Sequence, residues 1–124
     1  MEYQSVNLAE KFGKFDDHWK PRIISAFNDY RIKIVKIKGE FIWHHHDETD
    51  ELFLVLDGSL DIHIGKDDKI IALNSGEMFV VPRGIEHKPV AAQECRLMLI
   101  EPAGTVNTGN IQGSDRTAEE DVWI

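Results

Sequence analysis

Three histidines stand in a row at His44, His45 and His46, and their imidazoles are candidate metal ligands. Successive side chains of a β-strand point to opposite faces, so His44 and His46 share one face while His45 occupies the other. Two residues of one strand that bind the same ion need this spacing. Glu51 follows the acidic turn "DETD", and a hairpin brings its carboxylate beside the two imidazoles. Such a ligand set suits Fe(II), Mn(II), Ni(II) or Zn(II).

The same stretch has a simpler interpretation, in which "HHHDETDE" is a polar hairpin tip in water. The neighbouring residues favour a metal site instead. Phe41 and Trp43 are expected on the face of His45, away from the candidate ligands. The leucines that alternate with Glu51 are also expected on that outer face, at Leu52, Leu54 and Leu56. Both faces of the hairpin are then apolar or functional, so neither is suited to open water.

A second stretch, "GEMFVVPRGIEHKPV", begins at Gly76 and contains one further histidine. Pro82 fixes its own φ and Gly84 can adopt a positive φ, so the Pro-Arg-Gly sequence predicts a tight turn. The turn places His87 at the mouth of a hairpin. On its own His87 is an ordinary polar residue, but beside the first stretch it is a candidate fourth ligand.

The elements that must position these residues show a period of two over most of the chain. Turn residues separate the candidate strands, which are 30–37, 40–46, 51–56, 60–64, 69–73, 78–81, 88–91 and 96–101. Many short strands at even spacing predict an all-β sandwich or barrel. In "RIKIVKIK" basic residues alternate with apolar ones, which predicts that the basic side faces solvent. Ahead of the strands, Asn7 predicts the cap of a short helix, with Glu10 completing a capping box.

Bulk properties narrow the class of protein. The chain has 124 residues, which predicts a single domain over 1–124, with a barrel core at about 22–102 and a loop-rich tail at 103–124. The net charge of −8 argues against binding to nucleic acid. No apolar run approaches membrane-spanning length and the N-terminus lacks a signal pattern, so we expect a cytoplasmic protein without membrane association.

The two histidine stretches resemble the two motifs of the cupin superfamily. The first motif corresponds to Gly39, His44, His46, Glu51 and Gly58, and the second to Gly76, Pro82, Gly84 and His87. The pattern is most similar to small single-domain bacterial cupins, many of which carry names borrowed from mannose-6-phosphate isomerase. This resemblance implies an all-β double-stranded β-helix (cupin or jelly-roll) barrel with a short N-terminal helix. It also implies that His44, His46, Glu51 and His87 hold a divalent transition metal (Fe, Mn, Ni or Zn) inside the barrel mouth.

The sequence departs from the usual motifs at two positions. The gap from Gly39 to His44 is one residue shorter than usual, and a register of His45-x-Asp47 restores the gap but loses the second imidazole. Ala91 stands where the second motif commonly ends in Asn. Neither departure changes one of the four ligands, so metal binding is still expected, whereas similarity to any individual cupin enzyme is weaker.

The resemblance leaves two classes of function open. The first is an enzyme acting on a small oxygen-rich molecule, by dioxygenation or by an isomerisation in which the metal is the Lewis acid. The second is a non-catalytic module, such as a sensor, that binds a metal or a small ligand. Catalytic residues are not identified, because Glu48 and His63 are candidate bases by residue type alone. Arg83 is expected to face solvent, which disfavours a phosphosugar substrate. The apolar outer face predicts a homodimer.

Overall fold

The computed structural model describes residues 3–119 and 121–124 of the chain. It begins with a short helix, α1 (Leu8–Phe12), whose cap Asn7 accepts a hydrogen bond of 2.9 Å from the backbone N–H of Glu10. The strands within the described residues are β1 (Arg22–Phe27), β2 (Tyr30–Glu40), β3 (Glu51–Asp57), β4 (Ser59–Ile64), β5 (Lys69–Asn74), β6 (Met78–Val81) and β7 (His87–Pro102). The all-β fold and the short N-terminal helix are therefore confirmed.

The strands form one antiparallel sheet that closes around an interior. The main path of the sheet runs in the order β1-β2-β7-β3-β6, and β4 and β5 join it through β7. The first half of β7 pairs with β4, while its second half lies between β2 and β3. Because one long strand serves both halves of the sheet, the sheet bends into the jelly-roll barrel that the motifs implied.

The observed strands differ from the expected ones in three places. β1 precedes the first expected strand, and the expected strands at 88–91 and 96–101 are both part of β7. The expected strand at 40–46 is largely absent, because β2 ends at Glu40 and beyond it only His44 pairs, through a bridge to His87. A register shift between Ile37 and Gly39, where Gly39 has a φ of 86°, redirects the chain before this point.

Alternate residues of the central strands fill the barrel interior. The inward side chains of β2, β3 and β7 include Val35, Ile37, Phe53, Val55, Leu97 and Leu99. Phe41, expected on the outer face, is instead buried here and stacks on Trp19 with ring centroids 4.7 Å apart. The expectation was wrong because residues 41–43 are not a regular strand, so the period of two does not apply to them. Trp43 does lie outside and is 44% exposed.

A second apolar cluster lies on the outer face of the sheet. Phe12 and Phe15 of the N-terminal region pack against Ile24 and Ile34, and the half-buried Leu56 contacts the same cluster. The N-terminal region therefore covers part of the face that the leucines of β3 present outward, while Met78 and Val80 remain more than 40% exposed.

The lysines of "RIKIVKIK" are not all on a solvent-facing side, as the alternation had predicted. Lys33 is 4% exposed and its ammonium lies 3.0 Å from the Glu101 carboxylate inside the barrel. Lys36 is 6% exposed on the other face, where its ammonium donates a hydrogen bond of 2.7 Å to the carbonyl of Phe15. Both faces of β2 are covered by protein: one faces the barrel interior and the other packs under the N-terminal region. The alternation of basic and apolar residues therefore does not mark a side that faces water.

The tail is irregular in backbone and packs against the barrel. Thr108 is fully buried, and the end of the chain attaches to β1, where the backbone N–H of Ile124 donates to the carbonyl of Ile23 at 3.1 Å. Trp123 forms a backbone bridge to Ile23, although its side chain is largely exposed. Among the described residues, no helix has the length and apolar character needed to cross a membrane.

Candidate metal centre

The fold brings together the four residues that the motifs implied as ligands. One ligand atom from each of His44, His46, Glu51 and His87 lies within 4.8 Å of the others. All four side chains are buried, with exposures between 1% and 7%. Imidazole nitrogens and a carboxylate oxygen gathered at this spacing are a donor set that suits a transition-metal ion.

Backbone pairing between the two motifs positions two of the histidines. His44 and His87 exchange both backbone hydrogen bonds, of 3.1 and 2.9 Å, and their rings lie with centroids 4.3 Å apart. The turn that precedes His87 is held by a 2.8 Å hydrogen bond from the N–H of Gly84 to the carbonyl of His46, and Gly84 has a φ of 80°. The Pro-Arg-Gly turn therefore ties the second motif directly to the histidine run.

Backbone carbonyls orient the rings of His44 and His87. Nδ1 of His44 lies 2.9 Å from the carbonyl oxygen of Ile42, and Nδ1 of His87 lies 2.8 Å from that of Ile85. A carbonyl can only accept a hydrogen bond, so in both rings Nδ1 carries the proton. The Nε2 lone pairs then face the interior of the cluster, and this is the arrangement that fixes metal-binding imidazoles in proteins.

The electrostatics of the cluster favour the cation-binding forms of His44 and Glu51, whereas they favour the protonated form of His46. Burial lowers the pKa of His44 to about 4, so this imidazole is neutral at physiological pH. Burial by itself raises the pKa of Glu51, but the adjacent His46 and His87 outweigh burial and hold that pKa below its ordinary value. Burial opposes protonation of His46, yet the adjacent Glu51 carboxylate raises its pKa overall.

His45 points away from the cluster, as strand parity predicts. Its Nδ1 lies 2.7 Å from the Glu86 carboxylate and its Nε2 lies 3.0 Å from the Asp47 carboxylate. The tail binds the backbone of His45, because Asn110 accepts a hydrogen bond from its N–H and donates one to its carbonyl. In the alternative register of His45-x-Asp47, these two side chains pair with each other instead of facing the cavity.

The cluster passes a test of fit for a metal ion. Nε2 of His44 and Nε2 of His46 are both buried without a hydrogen-bond partner. Nε2 of His46 lies 2.5 Å from a Glu51 oxygen, but the angles are not those of a hydrogen bond. Unpaired buried polar atoms are rare because each costs about 1–3 kcal/mol. Two of them facing the same carboxylate are what a coordinated cation would satisfy.

Two spaces adjoin the cluster. An inner cavity of about 40 Å³ is lined by His44 and Glu51 together with the aromatic side chains Trp19, Phe41 and Phe53. An outer cleft of about 590 Å³ lies at the barrel mouth, between His46 with the hairpin tip and residues 102–112. The cluster thus stands where the barrel interior meets a polar opening.

The candidate bases and the candidate anion anchor lie outside the inner cavity. Glu48 is exposed and lines the outer cleft. His63 lies in β4, where it faces Ile70 and Lys88 of the neighbouring strands. The Arg83 side chain is 63% exposed and pairs with Asp50, so it faces solvent as expected.

Two features of the site were missed from the sequence. Glu101 lines the inner cavity, where burial and the charge of Glu51 raise its pKa to about 7 while Lys33 opposes the rise. Its position was readable, because Leu97, Leu99 and Glu101 share one face of β7. The tail also contacts the site through Gly109, which lies against His44 and His45. No periodic pattern in the sequence predicts that contact.

Comparisons with known proteins match this arrangement. A family model described as "Cupin domain" matches residues 32–101, a range that contains all four residues of the cluster. The uncharacterized protein YdbB of Bacillus subtilis (strain 168) is 38% identical over 65 residues, which cover 52% of this chain and 57% of that protein. The chain thus matches little more than half the length of this curated relative.

Solved structures extend the comparison. The crystal structure of a cupin-2 domain containing protein from Shewanella frigidimarina is 50% identical, with a TM-score of 0.76, and the match covers 78% of this chain and 93% of that chain. Hydroquinone 1,2-dioxygenase PnpCD in complex with Fe3+ is 18% identical, with a TM-score of 0.73, and the match covers 82% of this chain and 33% of that chain. The second likeness concerns the fold alone.

Proposed function

We propose that this chain, which belongs to the cupin domain family, is a metal-dependent enzyme acting on a small, oxygen-rich molecule. The observation that carries the proposal is the buried cluster of His44, His46, Glu51 and His87, in which two imidazole nitrogens lack a hydrogen-bond partner. Burying a neutral imidazole with its lone pair toward a carboxylate adds little to the stability of the fold unless a cation binds both groups. We therefore assign these four residues as the metal ligands.

The chain's own residues prepare the site in three ways. The carbonyls of Ile42 and Ile85 hold two imidazoles in the tautomer that can coordinate a cation. Glu51 supplies the one negative charge of the ligand set, and the aromatic wall of the inner cavity keeps bulk water from it. When bound, the metal supplies Lewis acidity and up to two open coordination positions for a substrate oxygen or O2.

Dioxygenation and isomerisation both use an oxygen-bearing substrate at such a site. A dioxygenase that was solved with Fe3+ shares the fold, so the fold is compatible with the first reaction, and iron, manganese, nickel and zinc all stay candidates for the metal. A sugar phosphate is disfavoured, because Arg83 pairs with Asp50 and lines neither the inner cavity nor the outer cleft.

One observation favours the alternative of a non-catalytic binding or sensor module. The inner cavity of about 40 Å³ is small beside the roughly 300–1,000 Å³ of ordinary ligand pockets. A module that only binds a metal needs no larger space. The outer cleft of about 590 Å³ offsets this argument, since it gives a substrate room beside His46.

The metal centre is tested by metal content per chain in alanine variants of the untagged protein, measured by mass spectrometry after identical purification. His44→Ala and His46→Ala each remove one imidazole, and we expect metal content to fall at least tenfold in each variant. We expect the same fall when the Glu51 carboxylate is removed. His87→Ala is expected to leave a partly occupied site with three ligands.

His45→Ala is the matched control, because it removes the same chemical group from the adjacent position. Its ring faces Glu86 and Asp47, so we expect metal content to stay at the wild-type level. Loss of metal from His45→Ala together with retention by His44→Ala would show that the site uses the register shifted by one residue.

The enzymatic proposal needs a separate measurement. Metal-loaded protein is incubated under air with a panel of sugars, keto acids and phenols, and substrate loss and O2 consumption are followed. We expect turnover of at least one class that disappears in His44→Ala. Full metal occupancy with no turnover across the panel favours the binding module instead.

We also propose that the protein forms a homodimer. Part of the outer sheet face remains uncovered by the N-terminal region, including Met78 and Val80, which are 53% and 41% exposed. A two-fold dimer is the commonest way to cover such a face. Light scattering at micromolar concentration is expected to give twice 14.2 kDa, and a value of 14.2 kDa would contradict the dimer.

A further inference from the structure

We propose that Glu101, held in place by Lys33, is a second polar anchor in the barrel and accepts a hydrogen bond from a hydroxyl group of the ligand. The inference rests on the proposed function, because the ligand is taken to place another of its oxygens at the metal centre. It narrows the substrate class to compact, uncharged molecules that combine a metal-binding oxygen with a hydroxyl donor.

The strand pattern directs both side chains into the barrel. Lys33 lies on the inward face of β2 with Val35 and Ile37, and Glu101 continues the inward row of β7. The ammonium and the carboxylate lie 3.0 Å apart, and their side chains are 5% and 2% exposed. The pair is therefore buried almost completely within the barrel.

The position of Glu101 connects this pair to the metal centre. Leu52 of β3 pairs with Ile100 of β7, so the antiparallel register places Glu101 opposite Glu51. Glu101 also lines the same inner cavity as His44 and Glu51. One small molecule in that cavity is thus in reach of both the metal ligands and the Glu101 carboxylate.

The pairing of Glu101 is incomplete in a way that leaves an acceptor for a ligand. Oε1 accepts the hydrogen bond from Lys33, and within residues 3–119 and 121–124 no hydrogen bond reaches Oε2. A buried ion pair is often no more stabilising than apolar residues of similar volume, so stability alone does not account for it. A carboxylate with one oxygen paired and the other available beside a cavity is suited to orienting a ligand.

The charge around the site defines which ligands fit. A carboxylate accepts hydrogen bonds and repels anions, so the end of the ligand near Glu101 carries a hydroxyl and not a carboxylate or phosphate. The outer cleft agrees with this, since its charged lining residues are the acids Asp47 and Glu48. The small volume of the inner cavity limits the buried end of the ligand to a few non-hydrogen atoms.

The test uses two probes of nearly the same shape, hydroxyacetone and 2-butanone, which differ by a hydroxyl in place of a methyl group. Their dissociation constants are measured at pH 8 by titrating the visible absorption of the Co(II)-loaded protein. For the wild-type protein we expect hydroxyacetone to bind at least about tenfold more tightly, which is the effect of one hydrogen bond to a charged group.

The double variant Lys33→Met/Glu101→Leu replaces the ion pair by apolar side chains of similar size. We expect it to keep Co(II) content and 2-butanone affinity, while its preference for hydroxyacetone falls to about one. A preference that persists in the double variant would come from chelation by the metal alone and would overturn the proposal.

A second, more conservative variant keeps the test valid if the double variant does not fold. Thermal unfolding of each variant shows whether it is folded. Glu101→Gln keeps the size of the side chain and a partner for Lys33, and exchanges the charged acceptor for a neutral amide. We expect the hydroxyacetone preference to fall severalfold with Co(II) content unchanged, and an undiminished preference would overturn the proposal. A wild-type protein that fails to bind Co(II) would instead refute the metal centre itself.

Discussion

The two ends of the chain both pack onto the barrel, and they do so by different means. The N-terminal segment (residues 3–15) inserts Phe12 and Phe15 into an apolar cluster on the outer sheet face. The C-terminal segment (residues 103–113) lies at the barrel mouth and binds mainly through hydrogen bonds, such as those between Asn110 and the backbone of His45. One end is attached by apolar burial and the other by backbone contacts at the candidate metal centre.

This difference separates stability from the geometry of the site. Apolar burial is non-directional, so losing part of it lowers the free energy of unfolding without moving distant residues. Close backbone contacts leave little freedom, and Gly109 lies so near to the His45 carbonyl that an added Cβ would overlap it. We therefore expect changes in the N-terminal segment to affect stability and changes in the C-terminal segment to affect metal binding.

The largest expected effect is on stability, in Phe12→Ala. Phe12 is 3% exposed within the outer cluster, and truncating a buried phenylalanine costs about 3–5 kcal/mol. We expect chemical denaturation to show this loss, while metal content per folded chain stays at the wild-type level. Tyr3→Ala is the control from the same segment, because Tyr3 is 97% exposed. Loss of metal from folded Phe12→Ala protein would show that the two regions are not separable.

The next effect is expected in Gly109→Ala, where the metal centre and stability both change. The added Cβ meets the His45 backbone and approaches Cδ2 of His44, so either the C-terminal segment or the histidine run must move. Overpacking of this kind costs about 1–3 kcal/mol. We expect weaker metal affinity, measured by competition with a chelator of known affinity.

Gly113→Ala is the control for Gly109→Ala. Both glycines have a positive φ, of 56° and 68°, so both substitutions strain the backbone, but a Cβ at Gly113 meets nothing within 4 Å. The difference between the two variants therefore isolates the contact with the histidine run. Equal metal affinities would mean that the C-terminal segment moves aside without disturbing the ligands.

The same contrast explains what was predictable from the sequence. The barrel follows from the alternation of apolar residues, because a strand fixes the side on which each residue lies. The group of His44, His46, Glu51 and His87 follows from the two motifs, although the chain between β2 and β3 is not the regular strand that was expected. Phe41 was misplaced, since the chain leaves regular strand geometry after Glu40.

Contacts between distant segments were not predictable in this way. The lysines of β2 alternate with apolar residues, as in a strand with one side in water. Only the tertiary fold shows that Lys33 pairs with Glu101 and that Lys36 donates a hydrogen bond to the Phe15 carbonyl. The packing of Gly109 against His45 brings together residues that are far apart in sequence. Both lie in irregular backbone, whose sequence has no hydrophobic periodicity from which the contact could be predicted.

The smallest effect is expected in Asn110→Ala, which removes one hydrogen bond at the contact between the C-terminal segment and the histidine run. The side-chain oxygen of Asn110 accepts from the N–H of His45 at 2.9 Å, whereas its backbone N–H donates to the His45 carbonyl at 3.0 Å and remains in the variant. An exposed hydrogen bond contributes about 0.5–1.5 kcal/mol, so global stability changes little. We expect faster amide hydrogen exchange at His45 and faster release of metal to a chelator, because the segment detaches more often. Gln112→Ala, an exposed residue of the same cleft, is the control and should leave both rates at the wild-type value. If Asn110→Ala accelerates exchange at His45 but not metal release, the C-terminal segment packs against the centre without restraining its ligands.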